Sequence, residues 1–177
     1  MDQDEGQLGY RKMEIDINFK TMTHHNNPRM VIEFNNVIIG DQTYSTIDTG
    51  HSKHVTPIEG ENILRVWLKD KDPKLGTKVE NNEVVADTGF EIQYIKLDNL
   101  IINYDSMERL NVLYYTDTGE ILQTLYMGIN GYIEIKFNYP LWDNFLNSIN
   151  YTHNDSIEKW DNVSDPTDIF DFLKDIK

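Results

Sequence analysis

The chain has 177 residues, with 16 Lys and Arg against 30 Asp and Glu and no Cys, for a formal net charge of −14 at pH 7. That length suits one domain of ordinary size, and that charge excludes a sequence-independent grip on nucleic-acid phosphates or anionic membrane surfaces, both of which need a basic face. The absence of Cys excludes disulfide scaffolds, thiolate nucleophiles and Cys-type zinc sites, and no apolar run approaches the roughly 20 residues that cross a bilayer.

Residues 1–12 are polar and lack the apolar stretch of a secretory signal, so they read as a leader ahead of the folded part. Residues 13–23 alternate: Met13, Ile15, Ile17 and Phe19 share one side, Glu14, Asp16, Asn18 and Lys20 the other. That period predicts a half-buried strand. Residues 30–34 and 37–39 flank Asn35-Asn36, and Asn tolerates the positive φ of a tight hairpin turn. Strands are expected at 43–47 and at 62–69, where Leu64, Val66 and Leu68 share a side. Val79 and Val84-Val85 bracket the turn residues Glu80-Asn81-Asn82-Glu83. Residues 90–97 and 100–104 flank the turn Asp98-Asn99, and 112–115 and 121–127 flank Asp117-Thr118-Gly119. Residues 132–138 alternate again, through Ile133, Ile135 and Phe137. Pro140 then opens a short helix with Leu141, Trp142, Phe145, Leu146 and Ile149 on one side.

About ten short strands separated by turn signals predict an all-β fold, an antiparallel β-sandwich or jelly roll, over residues 13–150. Residues 151–177 form an acidic tail. Within it Asp165-Pro166 fits a helix start, and Ile169, Phe172, Leu173 and Ile176 recur on one helical face. That face is the expected contact for a protein partner.

Three patterns invite a chemical reading. Asp-Thr-Gly occurs at 48–50, 87–89 and 117–119, and aspartic proteases use this tripeptide to bring two carboxylates face to face. The copy at Asp48 is the nearest match, but His51 stands where the protease pattern wants a small residue; turn formation is the commoner use of Asp and Gly. Asp70 and Asp72, with Asp87 across a hairpin, offer oxygens of the kind calcium takes in β-sandwich loops, although Lys69, Lys71, Lys74 and Lys78 are interleaved with the acids around them. Calcium is the one cofactor the sequence points to. Aromatic residues make up 11% of the chain, and those with outward phase are candidates to stack on sugar rings; Tyr114 and Tyr132 are the two singled out.

Leu-Lys-Asp-Lys-Asp-Pro at 68–73, the run from Asn82 to Asp98, Met127-Gly-Ile-Asn-Gly-Tyr and Phe137-Asn-Tyr-Pro-Leu-Trp together resemble small uncharacterised proteins of marine T-even-like tailed phages. The sheet of those proteins looks like that of carbohydrate-binding modules. The resemblance covers about half of the chain and implies a β-sandwich with a virion-associated or host-interaction role. With no signal peptide, a phage-encoded chain is placed in the virion or the host cytoplasm. The expectation is therefore a non-enzymatic binding or assembly protein that docks on protein partners. A calcium-assisted carbohydrate-binding module is the alternative, and an aspartic-protease-like enzyme a distant third.

Overall fold

The computed structural model describes residues 12–141, and every regular element among them is a strand. In chain order these are β1 (Met13–Met22), β2 (Arg29–Phe34), β3 (Val37–Thr43), β4 (Gly50–Val55), β5 (Gly60–Lys69), β6 (Thr77–Glu80) and β7 (Glu83–Asp87). They continue with β8 (Gly89–Leu97), β9 (Leu100–Ile102), β10 (Leu113–Thr116), β11 (Ile121–Leu122), β12 (Tyr126–Met127) and β13 (Gly131–Tyr139). Each pairing is antiparallel. One sheet runs β12-β8-β1-β4, with β9 also on β8; the second runs β11-β10-β13-β5-β2-β3; β6 and β7 make a separate hairpin. One apolar core draws on both large sheets, which therefore lie face to face as a sandwich.

Alternation selects the inner face. Met13, Ile15, Ile17 and Phe19 of β1, Leu64, Val66 and Leu68 of β5, and Ile133, Ile135 and Phe137 of β13 are all buried. Phe19, Phe90 and Tyr44 meet edge to face in the core, with centroids 4.9, 5.3 and 5.9 Å apart, the geometry that ring quadrupoles favour. In β8 the inward phase jumps from Ile92 to Ile95, because Asn18 pairs with Tyr94 and Phe19 with Ile92, which leaves Gln93 as the extra residue of a bulge. The hairpins turn as expected on Asn35-Asn36 (φ 49° and 64°) and Asn81-Asn82 (φ 52° and 66°).

Two expected strands are arranged differently. Residues 43–47 do not form one: Tyr44 plunges into the core, and Asp48 closes a turn by accepting hydrogen bonds from the Ser45 amide and hydroxyl. The strand lies just beyond, at β4, an edge strand whose burial is too slight to leave an apolar pattern. Residues 121–127 are also not one strand. β11 pairs with β10 in one sheet and β12 with β8 in the other, so the chain crosses the sandwich there with Leu125 buried at the crossing. Most of the helix expected after Pro140, most of the leader, and the tail with Ile169, Phe172, Leu173 and Ile176 lie outside the described residues.

Candidate functional site

The acidic loop gathers around a lysine. Lys71 is 5% exposed, and its ammonium donates to Asp87 Oδ1 and to the Gly128 carbonyl. The same Oδ1 accepts from Thr77 Oγ1 at 2.7 Å and from the Thr88 amide at 2.9 Å, while Oδ2 accepts from the Tyr126 hydroxyl. Burial alone would raise the Asp87 pKa, but the hydrogen bonds from Lys71, Tyr126 and Thr77 and the Lys71 charge outweigh it and hold the carboxyl below its ordinary range. Burial and the Asp87 carboxylate push the Tyr126 hydroxyl the other way, up. The remaining two acids of the proposed calcium loop face elsewhere. Asp70 pairs with Arg29 at 2.8 Å, and Asp72 accepts from the Lys74 and Leu75 amides at 2.7 and 3.0 Å. Among the described residues no three His, Asp or Glu side chains are grouped to hold a metal ion.

The Asp-Thr-Gly copies are likewise turns. Asp48 is engaged by Ser45 and Asp87 by Lys71, Thr77 and Tyr126; the Asp117 amide donates to the Asn130 carbonyl in the turn where Gly119 takes φ 89°. No carboxyl of one copy is hydrogen-bonded to that of another. The shared-proton pair of an acid protease is not assembled from them.

His51 of β4 faces Tyr44, whose hydroxyl lies 2.8 Å from Nδ1, while Nε2 is buried without a partner and its ring sits against Gly40. Burial, helped by the Lys53 charge, lowers the His51 pKa. A His whose folded pKa lies below its ordinary value of about 6.5 stabilises the fold when neutral, and that contribution fades as pH falls below the ordinary value. The melting temperature is therefore expected to fall between pH 7 and pH 5, and His51→Phe to flatten this part of the slope; an unchanged slope in the variant would refute the assignment.

The outer face of the six-stranded sheet carries the most distinctive surface. Strand register aligns Val31, Trp67, Tyr132 and Tyr115 in one row across β2, β5, β13 and β10. Trp67 and Tyr132 have centroids 4.3 Å apart with planes inclined at 41°; Tyr132 and Tyr115 are 5.0 Å apart and inclined at 19°. Tyr132 and Tyr115 are therefore stacked, while Trp67 leans on Tyr132 at a tilt. Their polar tips make no hydrogen bond among the described residues, whereas the hydroxyls of Tyr44, Tyr94, Tyr114 and Tyr126 are all engaged. Along one flank, Arg65 bridges Glu33 and Glu134 at 2.8 Å each and stands 5.8 Å from the Tyr132 ring centre. Along the other, the Lys69 ammonium lies 3.8 Å from the Trp67 ring centre.

Of the two sugar-stacking candidates, Tyr132 is in this row and Tyr114 is not. Tyr114 is 1% exposed, with its hydroxyl donating to the Ile129 carbonyl; burial pushes its pKa up to about 12. The correction is one of phase: Val112, Tyr114 and Thr116 point inward and Tyr115 outward. Leu113 and Tyr115 are as apolar as their neighbours, so alternation could not decide between the two registers. Trp67 and Tyr115 are the aromatic members of the row that the sequence pattern does not single out. The signal for Trp67 was present, since Leu64, Val66 and Leu68 already fix it on the opposite face.

No family model matches the chain, and no curated protein matches it in sequence. Two solved structures are similar. One, described as vCBM60 in complex with galactobiose, shares 9% identity over 69% of this chain and 96% of its own, with a TM-score of 0.48. The other is a selenomethionine form of vCBM60, from work on circular permutation linking two families of calcium-dependent carbohydrate-binding modules. It shares 12% identity over 70% of this chain and 89% of its own, also with a TM-score of 0.48.

Proposed function

We propose that this is a non-catalytic glycan-binding domain whose site is the row Trp67, Tyr132 and Tyr115. One observation carries the reading: three adjoining aromatic rings on an outer sheet face, where they fill no core, with no hydrogen bond to their polar tips among the described residues. Cross-strand stacking stabilises a sheet by only about 0.2–1 kcal/mol per pair, which a smaller β-branched residue would supply nearly as well. Large rigid rings with hydrogen-bonding tips suit a ligand that is apolar on its C–H faces and polar at its rim, and a sugar ring is such a ligand. The Glu33-Arg65-Glu134 ladder beside the row offers further acceptors and donors in fixed positions.

The test is affinity electrophoresis against a panel of soluble polysaccharides. Wild type is expected to be retarded by at least one of them, with Trp67→Ala and Tyr132→Ala weakening binding roughly tenfold or more, the scale of an aromatic anchor. Tyr94→Ala, on the outer face of the other sheet, serves as the control and should bind as wild type does. No retardation across the panel would overturn the reading.

A second reading, assembly on protein partners as in a virion-associated role, is favoured by the β6–β7 hairpin. It stands apart from both large sheets and exposes Val79, Val84 and Val85. Val79→Ser with Val84→Ser would then abolish assembly with a partner and leave glycan retardation unchanged.

A further inference from the structure

We infer that the glycan this face takes carries a carboxylate, and that Lys69 is the residue selecting it; the inference rests on the glycan-binding reading above. The cations of the outer face are already matched to acids, with one exception. Arg29 holds Asp41 through two hydrogen bonds of 2.7 Å and Asp70 at 2.8 Å. Arg65 holds Glu33 and Glu134, and Lys136 lies 3.5 Å from Glu134. Lys69 has no carboxylate partner among the described residues; its ammonium rests on the Trp67 ring instead.

Its position gives this meaning. Lys69 is two residues beyond Trp67 on the same face of β5, so it borders the ring row on the side away from the Glu33-Arg65-Glu134 ladder. Arg29, directly across from it on β2, already holds two acids. The row is thus edged on one side by a ladder whose acids Arg65 and Lys136 neutralise, and on the other by a cation with no carboxylate partner among the described residues. An ammonium on an aromatic ring keeps its outward N–H groups available, and a carboxylate on a sugar ring seated along the row would accept them as a charge-assisted hydrogen bond. The overall charge of −14 does not oppose this at close range, because beyond about 8 Å physiological salt screens exposed charges, and on this face Arg29, Arg65, Lys69 and Lys136 balance Asp41, Asp70, Glu33 and Glu134.

The experiment compares uronic-acid polymers (polygalacturonate, alginate and hyaluronan) with methyl-esterified polygalacturonate and neutral galactan, by affinity electrophoresis of the full chain. A uronate polymer is expected to bind more tightly than its neutral counterpart by roughly two- to fivefold per site, the scale of an exposed ion pair. That preference should shrink in high salt. Lys69→Met keeps an unbranched side chain of similar length and removes the charge, so it should erase the preference while binding to neutral polymer persists; Trp67→Ala should weaken both. Equal binding of charged and esterified polymer, or a preference that survives Lys69→Met, overturns the inference and leaves the glycan reading standing. Failure of every polymer to bind overturns both.

Discussion

Replacing Lys71 with Met is expected to remove about 3–5 kcal/mol of stability, because it strands the Asp87 carboxylate in a buried site. The two side chains are 4% and 7% exposed, so water cannot take over the missing partner. Removing both, as Lys71→Met with Asp87→Leu, should restore little of the loss, since Thr77, the Thr88 amide and Tyr126 then lose their acceptor. Urea unfolding followed by circular dichroism measures both variants; a single-variant loss under about 1 kcal/mol would sit in the range of a solvated surface pair and refute the buried one. The acid response has a definite sign. The Asp87 pKa is lowered in the folded chain, so its contribution is complete above the unfolded carboxyl value of about 3.9 and is lost as pH falls through the folded value. In Lys71→Met the lost donor lets burial raise the Asp87 pKa, so acid weakness should begin at higher pH. Because Lys71, Thr77, Thr88 and Tyr126 fill the oxygens of Asp87, calcium and chelator are expected to leave the wild-type melting temperature unchanged. A calcium-dependent rise would mean that the ammonium is displaced by the ion.

The second large effect is expected at Phe90→Ala, with a loss of about 3–5 kcal/mol, a large part of the roughly 5–15 kcal/mol that stabilises a typical domain. Phe90 is fully buried and packs edge to face on both Phe19 and Tyr44. Those neighbours belong to β1 and to the turn after β3, each fixed by its own hydrogen bonds, so they cannot close the space a phenyl ring leaves. Denaturant unfolding of Phe90→Ala beside Tyr115→Ala makes the comparison direct. Tyr115 is on the outer face, where truncation removes a stacking contact without opening a core cavity, and it should lose far less. Equal losses for the two would contradict the assignment of Phe90 to the core and Tyr115 to the surface.

Much of the β-architecture was legible because side-chain period and turn chemistry are local. Met13 to Phe19, Leu64 to Leu68 and Ile133 to Phe137 announce their inner faces, and Asn-Asn announces two hairpins through its tolerance of positive φ. What stayed hidden depends on long-range partners. β4 has no apolar stripe because it is held at an edge by β1 rather than by burial, and the passage of residues 121–127 from one sheet to the other is set by where β10 and β8 lie. The bulge at Gln93 changes phase mid-strand, which no two-residue period can foresee. The site was legible only in part. Tyr132 was readable, but its stacking on Trp67 and Tyr115 comes from register between strands distant in sequence. Lys71 was noted only as one of several lysines near acids; its burial against Asp87 and Gly128 is a tertiary fact.

β13 is the last strand of the described chain, yet it lies in the middle of its sheet, between β5 and β10. A chain emerging from the ribosome can pair β2 with β3 and β5 with β2 early, but the other edge of β5 must wait for residues 131–139. Until then Leu64, Val66 and Leu68 line a half-finished apolar surface beside an open row of backbone donors and acceptors, the kind of state that aggregates. Slow completion of this sheet is the expected kinetic consequence, in keeping with the slow folding of sheets built from distant contacts. A stop codon or proteolytic cut within β13 would therefore be expected to yield insoluble chain instead of a smaller folded domain.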